Sequence, residues 1–395
     1  CYSHSPLSFS KSVISMLLYL VIFMVPVVAM AFGESVARER WFLLGYMLFL
    51  ALFVGVSDML GGYDRYIYGE IFDAIAAGVE RDRSVEQIPA MLFFEVGYSW
   101  INWAIAHFTV NRYVFIFTFT MLIYLNFYIA FRRHITNYPF AFVVFMGMMF
   151  FFSFTYLRQV YGVSLALLSI KPLIERKWWL FAVIMVCVAL VHKSGAVFAL
   201  MFFVPRRRLP IPMVMAVLGV CLVVGLSGAT SALYDAYIEV ADLDLEVTGD
   251  YSSDDGARYA YLVEVLVFAG VILNNYDKIN DTRESNLFLN MALMFCAVLL
   301  LFIRSENGGR MAWYFIFGII ITLTNIVENC KYGISVVVKP MLVTLFFGLF
   351  MRIVLGWGML VWPYKSFFTN GHREGDFIYE QFEYDGRYDS DKFYK

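Results

Sequence analysis

The sequence predicts an all-α, polytopic integral membrane protein of about 12 transmembrane helices, and three observations lead there. Of its 395 residues, 61% are hydrophobic and 19% aromatic, against about 45–50% apolar in soluble domains. Only 16% are charged, below the roughly 25% usual in soluble domains, and mean hydropathy is +0.69. Apolar runs of about 20 residues, the length that crosses about 30 Å of hydrocarbon, recur along the chain. Such a chain cannot cover itself with polar surface in water.

Spans are expected near 12–32, 41–57, 112–131, 138–156, 159–174, 178–191, 194–204, 211–230, 258–274, 286–303, 311–327 and 334–355. Short loops rich in Lys and Arg stay cytoplasmic. The basic clusters are Arg132–Arg133, Lys171 with Arg176–Lys177, Arg206–Arg207–Arg208, and Lys278 with Arg283. Alternating sides from Arg132 puts all of them inside, provided 178–204 crosses twice; one long helix broken near His192 is the alternative. The other face receives Arg158, His192, the 231–257 loop and Arg304–Arg310.

One apolar run does not fit this alternation. Counting Met91–Phe108 as a span would put Arg132–Arg133 outside. The run also carries Glu95, Asn102 and His107 among Trp100 and Trp103, a mixture suited to an amphipathic helix at the interface. Residues 58–111 are therefore read as a large first external loop with one or two juxtamembrane helices, carrying Asp58, Asp64, Asp73 and the charged stretch Glu80–Glu86. An ordinary span with reversed topology before it is the alternative.

Residues 1–368 form a single transmembrane domain, with 58–111 and 231–257 as external loops. The second loop is acidic (Asp235, Glu239, Asp242, Asp244, Glu246, Asp250, Asp254, Asp255) and is expected to cap the external face. The polar, tyrosine-rich tail 369–395 is expected to be loosely ordered. No internal repeat is visible. The run Ser12–Phe32 lacks a basic leading region and is not read as a cleaved signal. Cys1, Cys187, Cys221, Cys296 and Cys330 are too scattered for a metal, redox or disulfide pattern and read as small buried hydrophobes. A net charge of −2 and the lack of a basic domain point away from nucleic acid.

Charges at membrane depth are costly and mark functions or internal pairs. Four places stand out. Asp64 and Tyr66 lie in GGYDRYIY after the second span, and Glu95 and Tyr98 in FFEVGYSW. Arg158 and Gln159 lie between two apolar runs. His192–Lys193 follows another run, and Arg310 is grouped with it. In the topology above all fall on the outer face, as an anion site with an acid–base partner would. Arginine offers a planar donor fork for phosphate oxygens, and histidine titrates near neutral pH. Each has a plain alternative. Arg158 and Arg310 could snorkel to headgroups, His192 could bond between helices, Asp64 could be a solvated loop residue, and Lys193 could anchor at the interface.

At these residues the sequence resembles the EpsG family of bacterial exopolysaccharide biosynthesis proteins, regarded as Wzy-type polymerases. An Asp-Tyr-rich motif after an early span is matched by Tyr63, Asp64, Tyr66 and Tyr68, and a Glu-x-Gly-Tyr element by Glu95, Gly97 and Tyr98. Arg158–Gln159 matches an Arg-Gln pair opening a helix. His192, Lys193, Ser194 and Ala196 match a His-Lys-Ser-Ala element, Arg310, Tyr314 and Phe315 an Arg-x-x-x-Tyr-Phe element, and Pro363–Lys365 a late Pro-Tyr-Lys. The likeness runs from about residue 41 to 368 and rests on order and spacing. Val96 stands where the family often has Pro, and Gly195 interrupts the histidine element.

The resemblance implies a glycosyltransferase-C-like fold and a polysaccharide polymerase. It would work at the outer leaflet of the bacterial cytoplasmic membrane, with its site facing the periplasm or exterior. Undecaprenyl-diphosphate-linked oligosaccharide would be donor and acceptor; membrane lipids and other polysaccharide assembly proteins would be further partners. His192, Glu95 and Asp64 are the candidates for the base. Arg158 and Arg310 would stabilise the leaving diphosphate, and Gln159, Tyr66, Tyr98 and Lys193 would contact substrate. No metal motif is present, and neither metal nor cofactor is expected. The competing functions are a flippase or transporter of the same lipid-linked glycan, a glycan ligase, an acyltransferase and a scaffold.

Overall fold

Backbone polar groups have no water to bond in hydrocarbon, so a chain this apolar satisfies them within helices. The computed structural model describes residues 6–33, 36, 38–230, 256–305, 308–329, 332–369 and 375–395. Among them no strand forms; Ser57 and Ser366 make an isolated bridge. The main helices in chain order are α1 Pro6–Ala31, α2 Arg40–Gly55, α3 Tyr63–Glu80, α4 Val96–Ala106, α5 Arg112–His134, α6 Tyr138–Met148 and α7 Leu157–Leu168. There follow α8 Trp178–Val191, α9 Ile211–Leu226, α10 Tyr259–Asn274, α11 Arg283–Leu301, α12 Ile316–Asn329, α13 Tyr332–Trp357 and the short α14 Phe377–Phe382. Among the described residues four helices are long and apolar enough to cross a membrane: Arg112–His134, Arg283–Leu301, Gly309–Asn329 and Val337–Leu360. Shorter apolar helices cover all or part of the other expected spans except 159–174.

The chain divides into two units, Cys1–Ser164 with Pro340–Lys395, and Leu165–Lys339. In the first, Asn111 starts α5 by accepting the backbone N–H groups of Tyr113 and Val114. Arg132, Arg133 and His134 end it, where cations favour the helix dipole. Helix α6 is buried on every side, so its sequence is apolar all round. The expected single span 138–156 is broken. A Cβ on Gly147 would lie 2.8 Å from the Phe346 carbonyl oxygen, and a one-turn helix, Phe152–Thr155, intervenes before α7. Aromatic rings fill the core, with Phe72 stacked on Phe115 at 4.2 Å and Tyr46 edge-on to Phe142 at 4.6 Å.

Within 58–111 the 11-residue α4 is about 16 Å long, half of a hydrocarbon core. It buries Tyr98, Ser99, Asn102 and Ala106 and exposes Val96 and Trp100. Its polar face turns inward and its apolar edge outward.

The tail is more ordered than its composition predicts. Helix α14 is capped by Asp376, whose side chain accepts the Tyr379 N–H. Tyr388 and Lys392 are buried, and Phe382 stacks on Tyr63 at 5.6 Å. Its polar residues pair with the 58–112 region. Lys392 Nζ lies 3.0 Å from Asp58 Oδ2, Lys395 Nζ 3.3 Å from Asp73 Oδ2, and Glu383 Oε1 3.4 Å from Arg112 Nη1. Backbone bonds lead into it: Asp58 N–H donates to Lys365 O at 3.0 Å, and Phe367 N–H to Val56 O at 3.0 Å.

In the second unit, α8 ends at His192, whose backbone is extended, and a 3-10 helix, Lys193–Phe202, follows. Trp178 meets Phe202 at 5.2 Å, and Gly195 lies against Val188. The segment is thus an antiparallel hairpin with His192 at its tip, not one long broken helix. Helices α11 and α12 approach closely because a side chain on Gly318 would meet the backbone of Met291 and Ala292; small residues serve this purpose in membranes. Asn290 Nδ2 donates to Pro205 O at 2.6 Å and to Arg207 O at 3.0 Å. Cys296 is buried as expected, whereas Cys187 is exposed, on the side of α8 where Val183 and Val186 are also exposed. Cys1 and Cys330 lie outside the described residues, as do residues 231–255 of the acidic loop.

Candidate functional site

The polar residues singled out in the sequence form two clusters, one in each unit. The first begins at the turn before α3. Gly61 and Gly62 have φ of +114° and +91°, a region that favours glycine. The turn puts Asp64, half-buried, in the first turn of α3, while Tyr66 and Tyr68 are buried.

Glu95 stands immediately before α4, and Arg158 is the second residue of α7. Arg158 Nη1 donates to Glu95 Oε2. The side chains are 14% and 8% exposed, so this pair is largely desolvated. The guanidinium carbon lies 4.3 Å from the Phe94 ring centre, within cation–π reach. The Arg158 Nε is buried without a hydrogen-bond partner among the described residues. Tyr98 is fully buried, with Phe94 at 5.3 Å, Phe119 at 5.1 Å and Tyr68 at 6.1 Å. Burial pushes its phenol well above the ordinary value, so the ring is neutral. Gln159 is buried next to Arg158 in sequence. The first unit therefore brings Glu95, Arg158 and Tyr98 together.

The second cluster surrounds the hairpin tip. His192 is 8% exposed and is followed directly by Lys193. Arg310, half-buried, lies in the one-turn helix Gly309–Ala312, which packs on the 193–202 helix. Four residues on, Tyr314 Oη is 3.3 Å from Ser194 Oγ. The Arg-x-x-x-Tyr spacing places both side chains on one helical face. Gly195 has a physical reason here, because a Cβ would lie 2.4 Å from Val188 Cγ1 and 3.2 Å from the Tyr314 ring.

Sequence reasoning missed the buried arginines that shape this region. Arg65 and Arg112 are both fully buried. Arg65 lies inside the quoted GGYDRYIY motif, but one helical step turns it about 100° away from Asp64. Arg112 opens an apparently ordinary span, and its carboxylate partners, Asp73 and Glu383, are distant in sequence.

The class defined by these features is a protein that, among the described residues, is all-helical, with helices long and apolar enough to cross a membrane and polar clusters close to helix ends. Comparison with protein families matches the EpsG family over residues 40–366, and the chain belongs to that family. No curated protein and no solved structure matches it. The family points to exopolysaccharide biosynthesis and to a polymerase-type function.

Proposed function

We propose that the protein is a membrane glycosyltransferase of about 12 spans and glycosyltransferase-C-like fold. In this reading it polymerises undecaprenyl-diphosphate-linked oligosaccharide at the outer leaflet of the bacterial cytoplasmic membrane. The observation that carries the reading is Arg158. Its guanidinium is held by Glu95 and Phe94, while Nε lacks a hydrogen-bond partner among the described residues. A buried donor left unmade is costly, and an anionic ligand would remove that cost.

In the reaction, a hydroxyl of the acceptor sugar attacks the anomeric carbon of the donor glycan. A new C–O bond forms, the bond from that carbon to the diphosphate oxygen breaks, and undecaprenyl diphosphate leaves. The hydroxyl proton passes to a base. Preorganised cations stabilise the charge that develops on the leaving group; Arg158 takes this role in the first unit. Arg310, with Lys193, is assigned to anionic ligand in the second. Glu95 is a positioning residue in this scheme, because Arg158 engages its carboxylate. The base is then Asp64 or His192, and Asp64→Asn and His192→Gln variants decide between them. Tyr66 and Tyr98 are buried and are assigned to shaping the site from behind. Sugar stacking falls to the exposed rings of Tyr63 and Trp100.

The test is reconstitution of the purified protein with lipid-linked repeat units. Chain growth that Arg158→Ala abolishes supports the polymerase. Transbilayer movement without chain growth would instead make the protein a flippase. In cells, Arg158→Ala is expected to leave abundance intact and cause single repeat units to accumulate. Wild-type polymer lengths in that strain refute the assignment.

A further inference from the structure

Arg65 carries a charge at zero exposure, and among the described residues no carboxylate lies within ion-pair distance of it. A buried cation without a counter-ion costs several kcal/mol, so the fold must hold it in another way. Two of its three nitrogens donate to main-chain oxygens. Nε donates to the Phe154 carbonyl, and Nη2 donates to the Val54 carbonyl at 3.3 Å. Val54 lies in the last turn of α2, and Phe154 in the one-turn helix before α7. Carbonyls at helix C-termini form the negative end of the helix dipole; the Val54 carbonyl also accepts Ser57 Oγ at 2.7 Å, and Arg65 adds a charge to that end. Arg65 therefore serves, from within α3, as the cationic cap of two other segments. A planar fork can reach two diverging oxygens; a lysine ammonium is a point donor and spans them poorly.

Two further contacts hold the same junction. Thr155 Oγ1 donates to Gly61 O at 2.7 Å. A Cβ on Gly61 would stand 2.5 Å from Phe154 O, so only glycine permits this approach. Residues 61–65 and 154–155 thus interlock at three points. Asp64 is inside the first segment, and Arg158 follows the second by three residues.

We propose that Arg65 is a positioning residue, which with Gly61 and Thr155 clamps the turn bearing Asp64 to the segment that launches Arg158. The proposal rests on the reading of Asp64 and Arg158 as site residues. The clamp sets their mutual placement without touching substrate, and so acts on turnover more than on substrate binding.

The test uses the full-length chain in lipid nanodiscs with its own cysteines replaced by alanine, spin labels at Tyr63→Cys and Tyr156→Cys, and distances read from their dipolar coupling by electron resonance. One narrow distance distribution is expected. Arg65→Met should broaden it at least twofold, Thr155→Val should broaden it less, and Arg65→Lys should restore it in part. If Arg65→Met does not fold, the nearly isosteric Thr155→Val still gives the answer. In polymerisation assays on glycan from the source cells, Thr155→Val should lower turnover about 5-fold, the scale of one lost hydrogen bond, with KM unchanged. An unaltered distance distribution in Thr155→Val overturns the clamp. So does a fall in activity that follows protein abundance alone. If Asp64→Asn and Arg158→Ala both retain full activity while the distances respond as described, the clamp stands as structure and the reading of the site fails instead.

Discussion

Two buried arginines of the first unit, Arg112 and Arg158, occupy contrasting settings. Arg112 is fully buried, lies near both Asp73 and Glu383, and has the Tyr384 and Tyr388 rings 4.5 Å and 4.4 Å from its guanidinium carbon. Arg158 has a single carboxylate, a single ring and 14% of its side chain exposed. The first is enclosed by two carboxylates and two rings with no side-chain exposure, as a structural tie is. The second has fewer partners and some access, as a binding group does. Buried charge by itself therefore does not distinguish architecture from function; the number of partners and the access do.

The comparison can be broken most forcefully at Arg112. Arg112→Met would leave buried Glu383 without its ion-pair partner and Asp73 with Lys395 alone, at a cost of about 3–5 kcal/mol. Loss of folded protein, seen as reduced abundance and a lower unfolding temperature, is the expected result. Unchanged stability would remove the structural reading. Arg158→Ala should do the opposite, lowering polymerisation by about 100- to 1000-fold, the range for a lost transition-state donor, while abundance holds. Arg158→Lys sharpens the point, since full activity with a point charge would argue against recognition by a fork.

Smaller effects test the tail that completes the Arg112 setting. Lys392→Met leaves Asp58 with Lys365 alone, 3.3 Å away, and should loosen residues 375–395 by about 1–3 kcal/mol. Limited proteolysis should then cut there first. The smallest change is expected at Glu383. Burial raises its carboxyl above the ordinary 4.5, and Arg112 offsets this only in part. The folded state thus binds a proton that the unfolded chain has already released. The associated stability is present at low pH and is lost as pH rises from 4.5 through the folded value. Glu383→Gln should flatten that dependence with a change under about 1 kcal/mol, read from unfolding temperature against pH.

Much of this was legible in the sequence. Apolar runs showed the helices because their length and composition follow from the solvent they face. Glu95 and Arg158 stood out because charge among apolar neighbours is rare, and the structure pairs them. The tail was misjudged because composition registers polarity but not partnership; Lys392 reads as solvated until Asp58 is seen beside it. Arg65 was hidden by its neighbours, since a charge beside Asp64 in a polar motif gives no sign that it points inward. The close approach of Gly147 to Phe346, some 200 residues away, has no local pattern to announce it.

The backbone and charge links between residues 53–61 and 360–392 bear on how the protein is made. Asp58 leaves the ribosome roughly 300 residues before Lys365 and Lys392, a wait of about 15 seconds to a minute at ordinary elongation rates. Until then a carboxylate destined for burial has neither cation, and Arg112 has only one of its two acids. The second unit, Leu165–Lys339, is continuous in sequence and comes out whole in that interval. Synthesis therefore runs through an intermediate in which the Asp58 region stays hydrated, and residues 365–392, translated after the whole second unit, are the ones that let it dry.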